Sequence, residues 1–145
     1  QLENIPVVDP VQYNASIAKL HLDLPQLTAY TALNQSLEDF DSRQQSQWFM
    51  PQDYQDFDIA RWVLEQCKTE TELQRCGHEL LMFQERNLFP LLNYLKYLVD
   101  TMRQHQVVWG VGRGSSVASY VLYLIGVHRI DSIYYDLDIE EFLKG

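Results

Sequence analysis

The ten residues GVGRGSSVAS at positions 110–119 separate two apolar runs, VVW before them and YVLYLIGV after them. The run QVVWGV predicts a short strand over residues 106–111, and the second run predicts a helix from about Ser115 to Ile125 that stops at Gly126. Strand, glycine-rich loop and helix in that order can make an anion site. The first N–H groups of the helix lack intrahelical partners, the macrodipole adds about half a positive charge there, and glycine lets a phosphate come close. Arg113 adds a guanidinium suited to phosphate, and Ser115 and Ser116 add hydroxyls. Gly110, Gly112, Arg113, Gly114, Ser115 and Ser116 are therefore the candidate phosphate- or nucleotide-binding residues. The same composition also suits a tight turn that packs a helix on a strand, so two readings stay open on these residues alone.

The rest of the chain reads as helical. NIPVVDP is expected as a short edge strand with Pro6 at its margin. Asp9 and Pro10 open a first helix, and a second is expected over residues 25–40. Residues 41–54 read as a loop with Trp48, Phe49 and Met50 turned into the core. Ile59, Trp62, Val63 and Cys67 have helical spacing, and Thr69 with Glu72 forms a capping box for a helix that buries Leu73, Cys76, Leu80 and Phe83. A long helix follows Pro90, and DLDIEEFLKG makes a short last one.

A hydrophobic content of 46% argues against disorder, and no apolar run reaches the ~18 residues that a membrane span needs. No signal-peptide pattern opens the chain, and Cys67 and Cys76 have no metal-ligand neighbours in sequence, so a cytoplasmic protein with two free thiols is expected. The net charge is −9, which predicts weak DNA binding, or none, by the chain alone. The charge is uneven. Residues 1–80 hold 5 basic against 13 acidic side chains, and residues 81–145 hold 6 against 7. Arg86, Lys96, Arg103, Arg113 and Arg129 face only Asp100 across their stretch, so the glycine-rich loop lies in the one basic segment.

Common phosphate motifs do not fit. A Walker A loop needs a lysine that is missing, a dinucleotide fingerprint needs glycine where Ser115 stands, and no G-x-S-x-G elbow is present. Instead, residues 107–144, VVWGVGRGSSVASYVLYLIGVHRIDSIYYDLDIEEFLK, resemble the start of the palm domain of bacterial DNA polymerase III alpha subunits, the C-family replicative polymerases. In that family a strand leads into GPGRGS, a small-residue helix, an I-x-x-I-D-P-L-x-Y stretch and an F-E-R-F-L helix. Gly110, Gly112, Arg113, Gly114, Ser115 and Ser119 fall on the loop positions, and Gly126, Ile130, Asp131, Tyr135, Glu140, Phe142 and Leu143 keep the register without a gap. Val111 stands where the family has proline and Ser116 where it has glycine or alanine. ELLMFQERNLFPLLNYLKYLVDTMRQH is similar to the family's helical approach, and the resemblance fades upstream of Trp48.

The resemblance implies that Gly112, Arg113, Gly114 and Ser115 grip the triphosphate of a nucleotide. It also implies metal-binding aspartates in a P-D-x-D pattern past the F-E-R-F-L helix, a pattern not met before Gly145. Asp136 and Asp138 do not replace it, because Asp138 reads as a helix N-cap. No metal or cofactor is expected, with Mg entering only if a partner supplies carboxylates. The four histidines are scattered, and Tyr120, Tyr123, Tyr134 and Tyr135 read as core and interface packing.

The expected architecture is mainly α, an α+β domain with a minimal sheet. One domain over residues 1–145 comprises an acidic helical part, 1–86, and a palm-like part with the glycine-rich loop, 87–145. The leading functional reading is a non-catalytic polymerase III alpha-like module associated with replication, partnered by a replication protein and with a loop for a nucleoside triphosphate or a DNA phosphate. The alternatives are one piece of a split polymerase completed by its missing half, and an acidic interaction module acting on host replication proteins. Self-association through the apolar helix at 117–125 is a further expectation.

Overall fold

Most of the helices start where a short polar side chain can accept their first free N–H groups. In the computed structural model, which describes residues 9–29, 32, 34–109 and 114–144, the chain divides into two compact units, Gln1–Arg43 and Gln44–Gly145. Helix α1, Pro10–Lys19, starts as the sequence predicts: Asp9 Oδ1 accepts from the N–H of Val11 at 2.8 Å, and Pro10 occupies the first turn. The expected edge strand before it lies outside the described residues, apart from Asp9 and Pro10 themselves.

The helix expected at residues 25–40 begins much later. Asn14 on α1 accepts from Leu27 N at 2.8 Å and donates to Leu27 O at 2.7 Å, so both backbone groups that a helix would use at Leu27 are taken. Helix α2 is Leu37–Gln45, capped by Ser36, whose Oγ accepts from Asp39 N at 3.0 Å. The loop expected at residues 41–54 is shortened by the end of α2 and by the single turn α3, Gln52–Gln55. Trp48 packs against Tyr94 with ring centroids 4.8 Å apart, whereas Phe49 is 79% exposed and is not in the core.

Three further helices form the frame of the second unit. Asp58 caps α4, Ile59–Gln66. The predicted capping box of Thr69 and Glu72 opens α5, Glu70–Glu85. Pro90 lies in the first turn of α6, Phe89–Gln104. Helix α7, Tyr120–Ile125, packs against α4, α5 and α6 and places Val121, Leu122 and Ile125 among Val63, Leu80, Phe83 and Val99. Asp100 on α6 draws in Tyr54 and Lys96, and the Lys96 ammonium sits 4.7 Å from the centre of the Trp62 ring. A 3-10 turn at Ile139–Glu141, capped by Asp138, replaces the expected last helix and buries Ile139.

The strand expected at residues 106–111, and with it the minimal palm-like sheet, is corrected: among the described residues there is no strand. Gln106 takes a left-handed conformation, φ 54°, and closes α6. Gln106 N donates to Arg103 O at 3.1 Å and Val107 N to Met102 O at 2.9 Å, the paired bonds of a Schellman cap. The donor that Val107 would lend to a sheet is thus spent on the helix, and Val108 is 91% exposed. Gly110 and Val111 lie outside the described residues. The domain is helical, and none of its described helices is long and apolar enough to cross a membrane.

Truncating a fully enclosed α7 side chain, Ile125→Ala, is expected to lower the unfolding free energy in urea by about 2–5 kcal/mol. Val108→Asp should cost less than about 0.5 kcal/mol. A large loss at Val108 would contradict its placement in an exposed, unpaired segment.

Candidate functional site

Helix α7 has six residues, all apolar or tyrosine, and none of them offers a carboxylate or amide to its own first turn. The partner comes from α5. Glu79 has no solvent exposure, and its carboxylate accepts from Tyr120 N at 2.8 Å, Val121 N at 3.0 Å and Ser119 Oγ at 2.7 Å. Ser119 Oγ in turn accepts from Leu122 N at 3.2 Å. The first three N–H groups of α7 are therefore all satisfied, two by a buried anion placed at the positive end of the helix.

A buried carboxylate needs a counter-charge, because the effective penalty for taking one ion out of water is several kcal/mol. Arg75, one turn earlier on α5, supplies it. Its Nε donates to Glu79 Oε1 at 2.7 Å, and its Nη2 donates to Ala118 O and to Leu137 O, each at 2.7 Å. Ser132 Oγ donates to Val117 O at 2.9 Å, and His128 Nε2 donates to Ser119 O at 3.0 Å. Three successive carbonyls, 117 to 119, are thus each held by a side chain. His128 Nδ1 accepts from Ile130 N at 3.2 Å, which leaves the proton of the neutral ring on Nε2. Burial pushes the His128 pKa below its ordinary 6.5.

These contacts fix the chain where the glycine-rich segment ends. The helix expected from Ser115 to Ile125 is instead a 3-10 turn, Ser115–Ala118, followed by α7, with Ser119 in an extended conformation between them. Of the candidate phosphate-binding residues, Gly110, Gly112 and Arg113 lie outside the described residues. Gly114 has φ 78° and ψ −166°, a conformation that residues other than glycine rarely adopt, although among the described residues no atom beyond its chain neighbours lies within 4 Å of where a Cβ would stand. Gly114 and Ser115 are exposed, and Ser116 is partly so. The N–H groups of Tyr120 and Val121 are taken by Glu79 and that of Leu122 by Ser119 Oγ, which leaves exposed backbone at Gly114 and Ser115 and the Ser115 hydroxyl.

Asp138 Oδ1 accepts from Glu140 N at 2.9 Å, as its reading as an N-cap requires. No group of three or more His, Cys, Asp or Glu side chains among the described residues is placed to hold a metal ion. Both cysteines are free, and burial raises the pKa of the Cys76 thiol, so it stays protonated. Tyr120 is buried, but Tyr134 and Tyr135 are exposed. The sequence reading missed Glu79 and Arg75. The available signal was an acid in phase with Cys76, Leu80 and Phe83 on the inward stripe of α5, with a base four residues before it.

Glu79→Ala is expected to lower the unfolding free energy by about 3–5 kcal/mol, and a loss under ~1 kcal/mol in denaturant titration would contradict the role assigned to it. Because the folded-state pKa of His128 lies below the unfolded value near 6.5, its contribution is complete above that pH. It is lost as pH falls from there through the folded value. His128→Gln should flatten this part of the stability profile, measured as the denaturation midpoint against pH.

The family model described as the bacterial DNA polymerase III alpha NTPase domain matches residues 27–145. The DNA polymerase III subunit alpha of Thermotoga maritima is 34% identical over 75 residues, which are 52% of this chain and 9% of that protein. The subunit of Staphylococcus epidermidis is 34% identical over 86 residues, 59% of this chain and 8% of the relative. That of Mycoplasma genitalium is 30% identical over 79 residues, 50% and 9%. The match thus spans less than a tenth of these curated relatives. No solved structure matches the chain. A match over most of the sequence, together with relatives of a single kind, shows that the chain belongs to the bacterial DNA polymerase III alpha family, in its NTPase domain.

Proposed function

We propose that this chain serves replication as the phosphate-gripping part of a polymerase III alpha-like protein, with residues 110–116 as the loop that meets a nucleoside triphosphate. The observation that carries this reading is the anchoring of carbonyls 117 to 119 by Ser132, Arg75 and His128. A loop that must hold an anion repeatedly in one place needs a fixed end, and a rigid element does this better than a mobile one. Glycine at position 114 and exposed hydroxyl and backbone groups at Ser115 suit close approach of a phosphate, and Arg113 would supply the charge. The polymerase-palm register carried by Gly114, Ser115, Ser119, Gly126, Ile130 and Asp131 is part of this proposal; a sheet is not.

The reading assigns no metal ligand to the described residues. Nucleotidyl transfer needs Mg held by carboxylates, and these would come from a partner chain or from the remainder of a longer polypeptide. By itself the chain then binds a nucleotide without turning it over, and its partner is a replication protein or the half that carries those carboxylates.

Isothermal titration of the chain with a deoxynucleoside triphosphate or with pyrophosphate should show binding that Arg113→Ala weakens by ~10-fold or more, as expected for loss of a charge-assisted contact. Absence of heat at millimolar ligand, with the protein folded, would end the phosphate reading of the loop.

A further inference from the structure

Helices α4 and α5 are joined by Cys67, Lys68 and Thr69 alone. The Glu72 carboxylate accepts from the N–H groups of Lys68 at 2.5 Å and Thr69 at 3.3 Å, and Cys67 N donates to Leu64 O at 3.2 Å. Every backbone N–H of the connection is therefore held, and the turn fixes how the two helices meet. The chain's only two cysteines stand on either side of it, Cys67 at the end of α4 and Cys76 in the second turn of α5.

Both thiols belong to one core. Cys76 has no solvent exposure and lies in the cluster with Val63, Leu80 and Phe83. Cys67 is partly exposed, packs against the same cluster, and turns its Sγ back to donate to Val63 O at 3.4 Å. Burial and, after it, a side-chain hydrogen bond with Cys67 raise the Cys76 pKa, so the two sulfurs touch. Among the described residues no histidine or carboxylate joins them as a third metal ligand. Glu72 is committed to the turn and Glu79 to α7, so the chemistry left to the pair is that of its sulfurs.

We propose that Cys67 and Cys76 are a reversible dithiol–disulfide pair, oxidised by a peroxide, that fastens α4 to α5 while the domain stays folded. A sulfur that solvent reaches, backed by a resolving thiol in contact with it, is the arrangement such oxidation needs. Cys67, as its thiolate, attacks one peroxide oxygen; the O–O bond breaks, and the other oxygen leaves as hydroxide and takes up the thiol proton as water. The Cys76 sulfur then attacks the sulfenic sulfur of Cys67, the S–O bond breaks, and the hydroxyl leaves with the Cys76 proton as a second water. The two thiols lose two electrons and the peroxide gains them. A small thiol reverses the bridge by exchange. Cys76 lies next to Arg75 and three residues before Glu79, so the bridge ties α4 to the part of α5 that carries the α7 network.

The test is treatment of the folded 145-residue chain with hydrogen peroxide, alkylation of the remaining thiols, and tryptic mass spectrometry without reductant. Trypsin cuts after Lys68 and Arg75, so a bridge joins two otherwise separate peptides. The joined pair should appear in protein that migrates as a single chain on a non-reducing denaturing gel, and dithiothreitol should return both thiols to alkylation. Cys76→Ala should stop at a Cys67 sulfenic acid that dimedone traps, and Cys67→Ser should leave Cys76 unoxidised. Because a cross-link stabilises a fold that already suits it, core amides of α5 should exchange more slowly in the oxidised chain, by ~10-fold or more. The proposal is overturned if neither thiol reacts, or if Cys67 goes on to sulfinic acid or joins a second chain while Cys76 stays a free thiol. A bridge that forms only with loss of amide protection in α5 would also overturn it, by placing the sulfurs out of reach of each other in the folded state. The triphosphate titration succeeds or fails independently of these results.

Discussion

A carboxylate without solvent contact is tolerated only when every lone pair that needs a partner finds one, and Glu79 meets that demand with two amides, a hydroxyl and a guanidinium. The consequences reach well beyond the pair. Helix α7 is too short to be stable from its own propagation, and an anion fixed at its N-terminus offsets part of the cost of nucleating it. Arg75 extends the same network to Ala118 and Leu137, so segments 43 and 62 residues away along the chain are tied to α5 through one side chain.

That network also decides how the glycine-rich segment can work. In the simplest anion site a loop hands a phosphate to the free N-terminus of the following helix. Here the protein's own carboxylate occupies that terminus, and Ser119 breaks the chain between the 3-10 turn and α7. Under the proposed reading, any contact of the segment with an anion would therefore fall to the segment's own groups rather than to the dipole of α7. Membership of the polymerase III alpha family and the anchored end at residues 117–119 support the same functional reading from independent directions.

Features encoded by local chemistry were legible in the sequence. Asp9 with Pro10, Thr69 with Glu72, and Gly126 each mark a helix end by a mechanism that needs only neighbouring residues. The family was legible as well, in the sequence register from Gly110 to Leu143. Other helix ends were not. His21, Asn87 and Gln106 all adopt left-handed conformations without being glycine, with φ of 52°, 54° and 54°. A Schellman cap at Gln106 turned an apparently β-prone Val-Val-Trp run into an unpaired segment. Leu27 was held out of a helix by Asn14, thirteen residues earlier, and Glu79 acquired its role only when α7 packed against α5. In each case a long-range or cap contact overrode a sound local propensity. Arg103, Trp109 and Arg129 likewise come to line one cleft only in the folded state, where α6, the chain after it and the chain after α7 meet.

Amide hydrogen exchange at Tyr120 and Val121 tests the central claim most directly. The first N–H groups of a helix ordinarily have no backbone acceptor and exchange readily. With Glu79 accepting both, these two amides should exchange only as slowly as global unfolding allows, on a par with the core of α5. Exchange at the rate of an exposed loop, in protein that is otherwise fully protected, would show that the carboxylate of Glu79 does not close α7 and would remove the basis of this account.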